Sequence, residues 1–262
     1  DPMKVMKVIE DKNIDVFCGT PSYLHSIARI YHHNRLVCRS KKIAMSGECF
    51  RESIAELFQK VFVNAKIYHV YGLTEAGPRV TYLSPESFYR TPSLVGKPLP
   101  NVKIKIADEN GTKKPVNEAG EIYIKSPSVM RGYYRNREVT NRILKDGWLR
   151  TGDIGCIQND SLKILSRKDD MIIKAGVNIY PAEIESLVCR IKEVKEAVAY
   201  GTREETGESV SLNVVLENAD EYDERIITRS IRGILPSYLM PKAIHFVKEI
   251  EKNASGKIIR KR

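Results

Sequence analysis

The sequence has 262 residues, of which 42% are hydrophobic and 29% are charged. These values describe a globular protein that is long enough for roughly two domains with ordinary apolar cores. Lys and Arg exceed Asp and Glu, giving a formal net charge of +10, but the two signs are interleaved along the chain. We therefore expect no dedicated nucleic-acid surface. Because no apolar segment approaches roughly 20 residues, we also expect no membrane span.

The cysteines are scattered along the chain and never form a CxxC pair. They are Cys18, Cys38, Cys49, Cys156 and Cys189. Their spacing indicates neither a zinc site nor a disulfide framework. Reduced thiols are typical of the cytoplasm, and we expect no secretory signal ahead of the fold, so we predict a cytoplasmic protein.

Residues 1–93 alternate helical and strand patterns. Apolar residues recur at helical spacing in PMKVMKVIEDKN, PSYLHSIARIYHH and RESIAELFQKVF, with Pro2 suited to a first helical turn. Short apolar runs follow these segments, in DVFCG, KIAMSG and KIYHVYG. Strands that alternate with helices are typical of βα units and a parallel sheet. We predict that residues 1–93 form part of the sheet of a large α/β domain.

The period of the pattern changes near residue 94. VKIKIAD, GEIYIKS, GDIGCIQ and LKILSR alternate apolar and polar residues, which predicts an antiparallel, barrel-like β subdomain over residues 94–166. Residues 167–170 are polar and suit a hinge. Residues 171–262 mix helical and strand patterns, as in YPAEIESLVCRI and SLNVVLE, which predicts a small α+β domain.

The stretch HVYGLTEAG ends the third apolar run and places a hydroxyl beside a carboxylate. Gly72 lets the chain turn after the strand, and open α/β sheets bind ligands in loops at the carboxyl ends of their strands. In such a loop Thr74 can donate to a phosphate oxygen and Glu75 can hold Mg²⁺. The alternative is a turn followed by a helix that Thr74 caps.

Three later polar positions each allow a functional and a structural interpretation. Asp153, flanked by glycines, suits either the vicinal hydroxyls of a ribose or a β-turn in which it caps its own backbone. Arg167 suits either ribose and phosphate or a salt-bridged linker. Lys257, in NASGKIIR, suits either a developing negative charge or an ordinary surface position.

In this order, YGLTEAG, GWLRTGDIG, SRKDDMIIKAGVNIYP and SGKIIR resemble the adenylate-forming (AMP-binding) superfamily, over essentially the whole chain. That superfamily includes acyl-CoA synthetases, adenylation domains and luciferases. Its members use ATP to convert a carboxylate into an acyl-adenylate and pyrophosphate, and then pass the acyl group to a thiol. The resemblance implies an AMP-forming acid–thiol ligase of the acyl-CoA synthetase type.

The matching motifs imply roles for individual residues. Thr74 and Lys257 are the implied catalytic residues: Thr74 donates to the α-phosphate, and Lys257 bridges the carboxylate and the α-phosphate. Glu75 is the implied Mg²⁺ ligand, and Asp153 and Arg167 are implied to bind the ribose. The whole implied nucleotide-binding set is Ser46, Gly47, Glu48, Tyr71, Gly72, Thr74, Asp153, Arg167 and Lys257, with Tyr71 against adenine.

The resemblance also implies a mobile C-terminal domain and an acyl pocket. Asp169 falls at the family's hinge, about which the small domain swings so that Lys257 leaves and the face around Gly176 lines a thiol channel. The implied acyl pocket consists of Cys18, Ala44, Ser46, Val70, Pro78 and Arg79. If Arg79 points inward, it predicts a substrate acid with a second anionic or strongly polar group.

One departure from the family has a large consequence. The family's Ser/Thr/Gly-rich loop ending in lysine, which holds the β- and γ-phosphates of ATP, is not found in these 262 residues, nor is the first half of the large domain. We therefore expect the sequence to be roughly the carboxyl-terminal half of an adenylating enzyme, and to be inactive alone.

The stretch VNIYPAEIE is closer to acyl-CoA synthetases than to amino-acid-activating relatives, which favours CoA as the thiol. ATP or AMP, Mg²⁺, CoA and a small carboxylic acid are the implied ligands.

Two other functions stay open. The first is a stand-alone adenylation protein that loads an amino, aryl or acyl group onto the phosphopantetheine of an acyl carrier protein. The second is a truncated, inactive unit that binds a nucleotide or a partner.

Overall fold

The computed structural model describes residues 1–48, 50, 52–204, 207–218, 221–252 and 258–260. The chain forms two compact units, Asp1–Ile164 (unit 1) and Leu165–Arg262 (unit 2). The finer division predicted from the sequence, with a hinge at residues 167–170, stays a prediction. Within the described ranges, every helix is too short or too polar to cross a bilayer.

The α-helices described in unit 1 begin with a proline in the first turn or with a capping side chain, except α3. They are α1 (Pro2–Asp11), α2 (Pro21–His33), α3 (Ala55–Val61), α4 (Pro85–Phe88) and α5 (Arg137–Ile143). Pro2 lies in the first turn of α1, as predicted, and the Asp1 side chain caps the helix by accepting from the N–H of Met3 at 2.9 Å. The apolar faces of α1, α2 and α3 are buried in one core cluster.

Ten strands form one mixed sheet. Its order is β1 (Val16–Gly19), β2 (Lys42–Met45), β3 (Lys66–Leu73), β4 (Gly77–Leu83), β5 (Leu94–Pro98), β10 (Ser161–Arg167), β9 (Trp148–Gln158), β7 (Gly120–Lys125) and β6 (Lys103–Ala107), with β8 (Leu144–Lys145) beside β9. The first three strands are parallel, whereas β6, β7 and β9 are antiparallel. The predicted α/β fold class, with a parallel part followed by an antiparallel part, is confirmed.

A hairpin that was not predicted from the sequence joins these two parts. β3 runs to Leu73, and after a turn at residues 74–76 the chain returns as β4, antiparallel to β3. The predicted turn at Gly72 is wrong because Gly72 lies within β3. The alternative in which Thr74 caps a helix is also wrong, because the chain continues into a strand. Because proline argues against a central strand, Pro78 prevents β4 from being predicted from the sequence.

Unit 2 is the α+β part that the sequence predicts. Its elements are the hairpin strands β11 (Ile172–Lys174) and β12 (Val177–Ile179), the helices α6 (Pro181–Val188) and α7 (Glu224–Ile234), and the sheet strands β13 (Val194–Glu204), β14 (Gly207–Leu216) and β15 (Ala243–Phe246). β13 and β14 are antiparallel, whereas β14 and β15 are parallel. Buried residues of both helices join the sheet in one core, among them Ile184 and Ile231.

Candidate functional site

The hairpin turn between β3 and β4 carries Thr74 and Glu75. The Ala76 N–H donates to the Leu73 carbonyl at 3.0 Å and closes the turn. Thr74 is exposed and Glu75 is half-buried. A hydroxyl and a carboxylate are thus presented side by side at the carboxyl end of a central strand, where open α/β sheets bind ligands.

A segment that follows β7 holds this turn in place. The Met130 N–H donates to the main-chain carbonyl of Glu75 at 2.8 Å, and the Ser128 hydroxyl donates to that of Ala76 at 2.7 Å. The Tyr133 hydroxyl donates to Oε1 of the Glu75 carboxylate at 2.6 Å. The Glu75 carboxylate is therefore oriented by a contact that its sequence motif does not indicate.

Two predicted nucleotide ligands meet although they are far apart in sequence. The Tyr71 hydroxyl donates to Oδ2 of Asp153 at 2.6 Å. Asp153 is 7% exposed and lies within β9, at an irregularity in the pairing of β9 with β7 that includes Gly152 at φ +71°. The β-turn alternative for Asp153 is therefore wrong, because the bend that its flanking glycines allow is a bulge inside a strand.

The loop after β2 contains three further predicted residues, Ser46, Gly47 and Glu48. The Glu48 carboxylate accepts from the N–H and the hydroxyl of Ser22, at 3.1 and 2.9 Å, at the N-terminus of α2. A negative charge is favourable there because of the helix dipole. The Glu48 side chain is thus engaged with the protein, and Gly47 adopts a left-handed conformation at φ +89°.

His69 lies fully buried beside this loop. Its Nδ1 is 3.0 Å from the Leu94 carbonyl oxygen, and its Nε2 is 3.5 Å from the Glu48 carbonyl oxygen. Burial lowers the pKa of His69, and its contacts with backbone carbonyls oppose that effect. A neutral imidazole has one N–H to donate, and we assign it to Nδ1, which makes the shorter contact.

The lowered pKa of His69 predicts acid sensitivity. Because the folded-state pKa lies below the unfolded value of about 6.5, the unfolded chain binds the proton more readily as the pH falls below that value. We expect the free energy of unfolding of unit 1 to fall by up to about 1.4 kcal/mol per pH unit in that window. Urea unfolding followed by the fluorescence of Trp148, the single tryptophan, measures it.

The matched variant is His69→Gln, which keeps a donor for the Leu94 carbonyl and removes the titration. Its unfolding free energy should change less than that of the wild type between about pH 7.5 and 5.5. Equal slopes for the two proteins would show that other groups cause the acid sensitivity.

A pocket of about 370 Å³ lies on the sheet of unit 1. Four of the six predicted acyl-pocket residues line it, whereas Ser46 and Pro78 are outside its lining. The lining consists of Val16, Cys18, Lys42, Ile43, Ala44, Tyr68, Val70, Arg79, Tyr82 and Leu99. The surface of this pocket is almost wholly apolar.

The sheet register gives the long direction of the pocket. Lys42 pairs with Lys66 at the start of β3, whereas Arg79 follows Pro78, whose carbonyl abuts Gly72 near the end of β3. At about 3.3 Å per residue, the two cationic residues lie roughly 20 Å apart along the sheet. Because the lining is apolar, their carbon stems supply the contact surface.

The remaining predicted positions lie in unit 2 or outside the described residues. Arg167 ends β10 and is exposed, and Asp169 is exposed in the 3₁₀ turn Lys168–Asp170. Gly176 forms the turn between β11 and β12 at φ +78°. Lys257 lies outside the described residues. The functional roles of these four residues stay predictions.

Sequence reasoning missed three tyrosines of unit 1. Tyr68 precedes Val70 by two positions, so the period of a strand already indicates that both face the same side. Tyr82 pairs with Val70 across the β3–β4 hairpin that was missed. No local signal connects Tyr133 with Glu75, because 58 positions separate them.

Comparison with known families identifies the chain. The profile of the AMP-binding enzyme family matches residues 1–134, and that of the AMP-binding enzyme C-terminal domain matches residues 183–257. The chain belongs to the AMP-binding enzyme family. The resemblance inferred from the motifs is therefore confirmed.

Several relatives of this chain are CoA ligases. The long-chain-fatty-acid–CoA ligase of Bacillus subtilis is 35% identical over 269 residues, covering 100% of this chain and 47% of the ligase. That of Haemophilus influenzae is 36% identical, covering 82% and 38%. The 2-succinylbenzoate–CoA ligase of Bacillus licheniformis is 39% identical, covering 72% and 40%. The chain thus spans less than half the length of these relatives.

Solved structures of AMP-binding enzymes share the fold. The amide bond synthetase McbA from Marinactinospora thermotolerans has a TM-score of 0.89 at 27% identity, covering 98% of this chain and 53% of McbA. The o-succinylbenzoate CoA synthetase MenE from Bacillus subtilis, in complex with its acyl-adenylate intermediate, has a TM-score of 0.85 at 28% identity, covering 99% and 53%.

Proposed function

We propose that this chain supplies part of the adenylating site of an AMP-forming acid–CoA ligase. A carboxylate attacks the α-phosphorus of ATP, which yields an acyl-adenylate and pyrophosphate. The thiol of CoA then attacks the acyl carbon, loses its proton and releases AMP as the thioester forms. The observation that supports this most is an apolar pocket that reaches Val70 and Arg79, on the two strands that are joined by the turn carrying Thr74 and Glu75. In this proposal an acid lies in the pocket with its carboxylate towards that turn.

The proposed chemistry requires donors around the α-phosphate, because two anions must approach each other. The Thr74 hydroxyl is exposed at the turn and is suited to donate to an α-phosphate oxygen. Lys257 adds a positive charge between carboxylate and phosphate in this proposal. Asp153 accepts hydrogen bonds from the ribose hydroxyls, and its contact with Tyr71 orients the carboxylate for that task.

The donor chemistry of the turn fits magnesium. Mg²⁺ prefers oxygen ligands and is usually held by one or two carboxylates together with substrate phosphates and water. Glu75 offers one carboxylate, and the described residues contain no group of three or more His, Cys, Asp and Glu side chains that would form a protein-only cage. A magnesium ion held by Glu75 and the phosphates would neutralise charge on the triphosphate.

The apolar pocket supports an acid with a hydrocarbon or aromatic body. A tail lying along β3 replaces water against Val70, Tyr68 and Ala44, which is favourable in proportion to the area covered. The alternative of a second anionic group depends on the direction of the Arg79 guanidinium. CoA is the proposed acceptor, supported by relatives that are CoA ligases.

The test of the function measures the two half-reactions separately in the full-length protein. Acid-dependent exchange of radiolabelled pyrophosphate into ATP reports adenylation, and thioester formation is assayed with CoA and with a pantetheinylated carrier protein. We expect exchange with apolar acids, and thioester formation with CoA. If pyrophosphate exchange occurs but the thioester forms only on the carrier protein, the carrier-loading alternative would be favoured. No exchange with any acid would favour an inactive unit that binds a nucleotide or a partner.

Cys18 gives a test of the pocket that needs no turnover. It is exposed in the lining, whereas Cys38, Cys156 and Cys189 are buried, so we expect a maleimide to label Cys18 faster than these three. A saturating apolar acid should slow this labelling at least about fivefold, because bound ligand covers the thiol. The label is located by peptide mass spectrometry. Labelling of Cys18 at an unchanged rate would exclude this pocket as the acid site.

Arg79→Ala separates the two kinds of acid. If Arg79 contributes only its carbon stem, the variant keeps its ranking of acids, with a modest rise in KM for apolar acids. A selective loss of dicarboxylic acids would instead support the predicted second anionic group.

A cytoplasmic location is also part of the proposal. Support comes from the four cysteines of the described chain, none of which is in a disulfide bond.

A further inference from the structure

Tyr133 lies far from the nucleotide motifs in the sequence but touches the carboxylate proposed to bind magnesium. Its hydroxyl donates to Oε1 of Glu75 at 2.6 Å, a short distance that is typical of an O–H donor on an ionised acceptor. In the described part of the chain, Oε2 of Glu75 accepts no hydrogen bond. One oxygen is thus held by the protein and the other is available to a ligand.

The backbone around Tyr133 is itself fixed. The Tyr133 N–H donates to Oγ1 of Thr140 at 2.9 Å, and the Thr140 hydroxyl donates to the Asn136 carbonyl at 2.7 Å. Gly132 adopts φ +147°, and a Cβ there would lie 2.6 Å from Cγ2 of Thr140. These contacts with Thr140 fix the backbone position of Tyr133, and so they fix the position from which its side chain extends to the turn.

The same segment also holds the backbone of the turn, through the contacts of Ser128 and Met130. Main-chain contacts of this kind position the turn but leave the side chain of Glu75 free to rotate about its own bonds. The Tyr133 hydroxyl is the contact in the described chain that selects one orientation of the carboxylate. Fixing a ligand through a partner hydrogen bond is how outer contacts tune metal sites.

We propose that Tyr133 is a positioning residue for the Glu75 carboxylate: it occupies Oε1 and directs Oε2 to the cation that accompanies ATP. The inference rests on the proposed metal-binding role of Glu75. Tyr133 does not contact the cation or the substrate in this proposal; it acts through Glu75. Its loss therefore weakens binding of the cation with the nucleotide and leaves the apolar acid pocket unaffected.

The experiment uses Tyr133→Phe in the full-length protein, which keeps the ring and removes the hydroxyl. Mn²⁺ binding is followed by electron paramagnetic resonance with an ATP analogue that carries a methylene bridge between the α- and β-phosphorus atoms. We expect Mn²⁺ affinity to fall about fivefold to tenfold, the effect of losing one charge-assisted hydrogen bond at a partly exposed site. Slowing of Cys18 labelling by the acid should be unchanged.

Tyr134→Phe is the matched control. Tyr134 is the adjacent residue and is 85% exposed, and its ring contacts the Arg135 guanidinium at 5.1 Å instead of the turn. This variant should bind Mn²⁺ as the wild type does. An equal loss of affinity in both variants would overturn the inference.

A double-mutant cycle with Glu75→Gln distinguishes positioning from general stabilisation. If Tyr133 acts through the charge of Glu75, then Tyr133→Phe should have almost no further effect on Mn²⁺ affinity in the Glu75→Gln background. Equal effects of Tyr133→Phe in both backgrounds would overturn the inference while leaving the proposed function intact. Unchanged Mn²⁺ affinity in Glu75→Gln alone would overturn the metal role of Glu75, and the inference with it.

Discussion

Replacing Glu185 with alanine should reduce the free energy of unfolding of unit 2 by about 3–5 kcal/mol. Glu185 is 8% exposed, and its carboxylate accepts from the Arg260 guanidinium and from the Ala199 N–H at 3.0 Å. Arg260 also donates to the Ala199 carbonyl at 2.6 Å, and its Nε lies 3.6 Å from Asp170. Removing the carboxylate takes from a largely buried guanidinium the anion that accepts its hydrogen bonds, and from the Ala199 amide its acceptor, which is costly in a low-dielectric interior.

The two units allow this loss to be assigned. Trp148 belongs to unit 1, so its fluorescence reports the unfolding of that unit, whereas far-UV circular dichroism reports both. We expect Glu185→Ala to shift part of the dichroism transition to a lower urea concentration. The urea concentration at the midpoint of the fluorescence transition should not change. Lys242→Ala, which removes the exposed pair with Glu204, is the control and should change neither curve appreciably. A loss below about 1 kcal/mol in Glu185→Ala would contradict the prediction.

Arg260 follows the stretch that contains Lys257, and Asp170 adjoins the predicted hinge residue Asp169. Lys252 and Ile258, on either side of that stretch, form an isolated antiparallel bridge. The ion pair therefore ties the chain after Lys257 to α6 and β13 of unit 2. Glu185→Ala is thus expected to reduce adenylation as well as stability, if Lys257 acts as proposed.

The sequence indicated most strands and most helices of this fold because their apolar residues have a clear period. The parallel order of β1 to β3 follows from strands that alternate with helices. The β3–β4 hairpin was missed because its signal conflicts with a local rule: Pro78 follows Gly77 directly, and proline ordinarily argues against a strand. Local propensity is thus overridden there by pairing with a neighbouring strand.

The candidate site, like the fold, could be predicted from the sequence only in part. Thr74, Glu75 and Asp153 belong to short local motifs, so the sequence alone singled them out. The contacts of Tyr71 with Asp153 and of Tyr133 with Glu75 join residues 82 and 58 positions apart, and such pairs are set by sheet order. Strand order cannot be read from the period of single strands, because periodicity defines which face is buried and not which strand lies alongside.

Gly72→Ala should be the most disruptive single substitution at the hairpin. A Cβ on Gly72 would lie 2.4 Å from the carbonyl carbon and oxygen of Pro78 and 2.7 Å from the carbonyl oxygen of Gly77. These are main-chain atoms, so β3 and β4 must separate to admit the methyl group. We expect a loss of about 3 kcal/mol or more in the unfolding free energy of unit 1, at the upper end for overpacking, measured by Trp148 fluorescence in urea.

Gly111→Ala controls for backbone conformation. Gly111 has φ +82°, and a Cβ on this residue would have no atom within 4 Å. Alanine at this position therefore loses only the free energy of holding a non-glycine residue in the left-handed region, about 1 kcal/mol. Gly72 is not in the left-handed region, so its cost is steric. A loss for Gly72→Ala no larger than that for Gly111→Ala would show that the hairpin adjusts easily.

The same steric argument predicts a functional defect. Tyr71, Thr74 and Glu75 flank Gly72 on one strand and turn, so separating β3 from β4 moves all three relative to Asp153 and Tyr133. A displacement of about 1 Å at a reacting centre can cost on the order of 100-fold in rate. We therefore expect pyrophosphate exchange by the full-length Gly72→Ala protein to fall at least that far under conditions where it remains folded. Exchange near the wild-type rate would mean that the turn tolerates movement, and that its geometry does not limit adenylation.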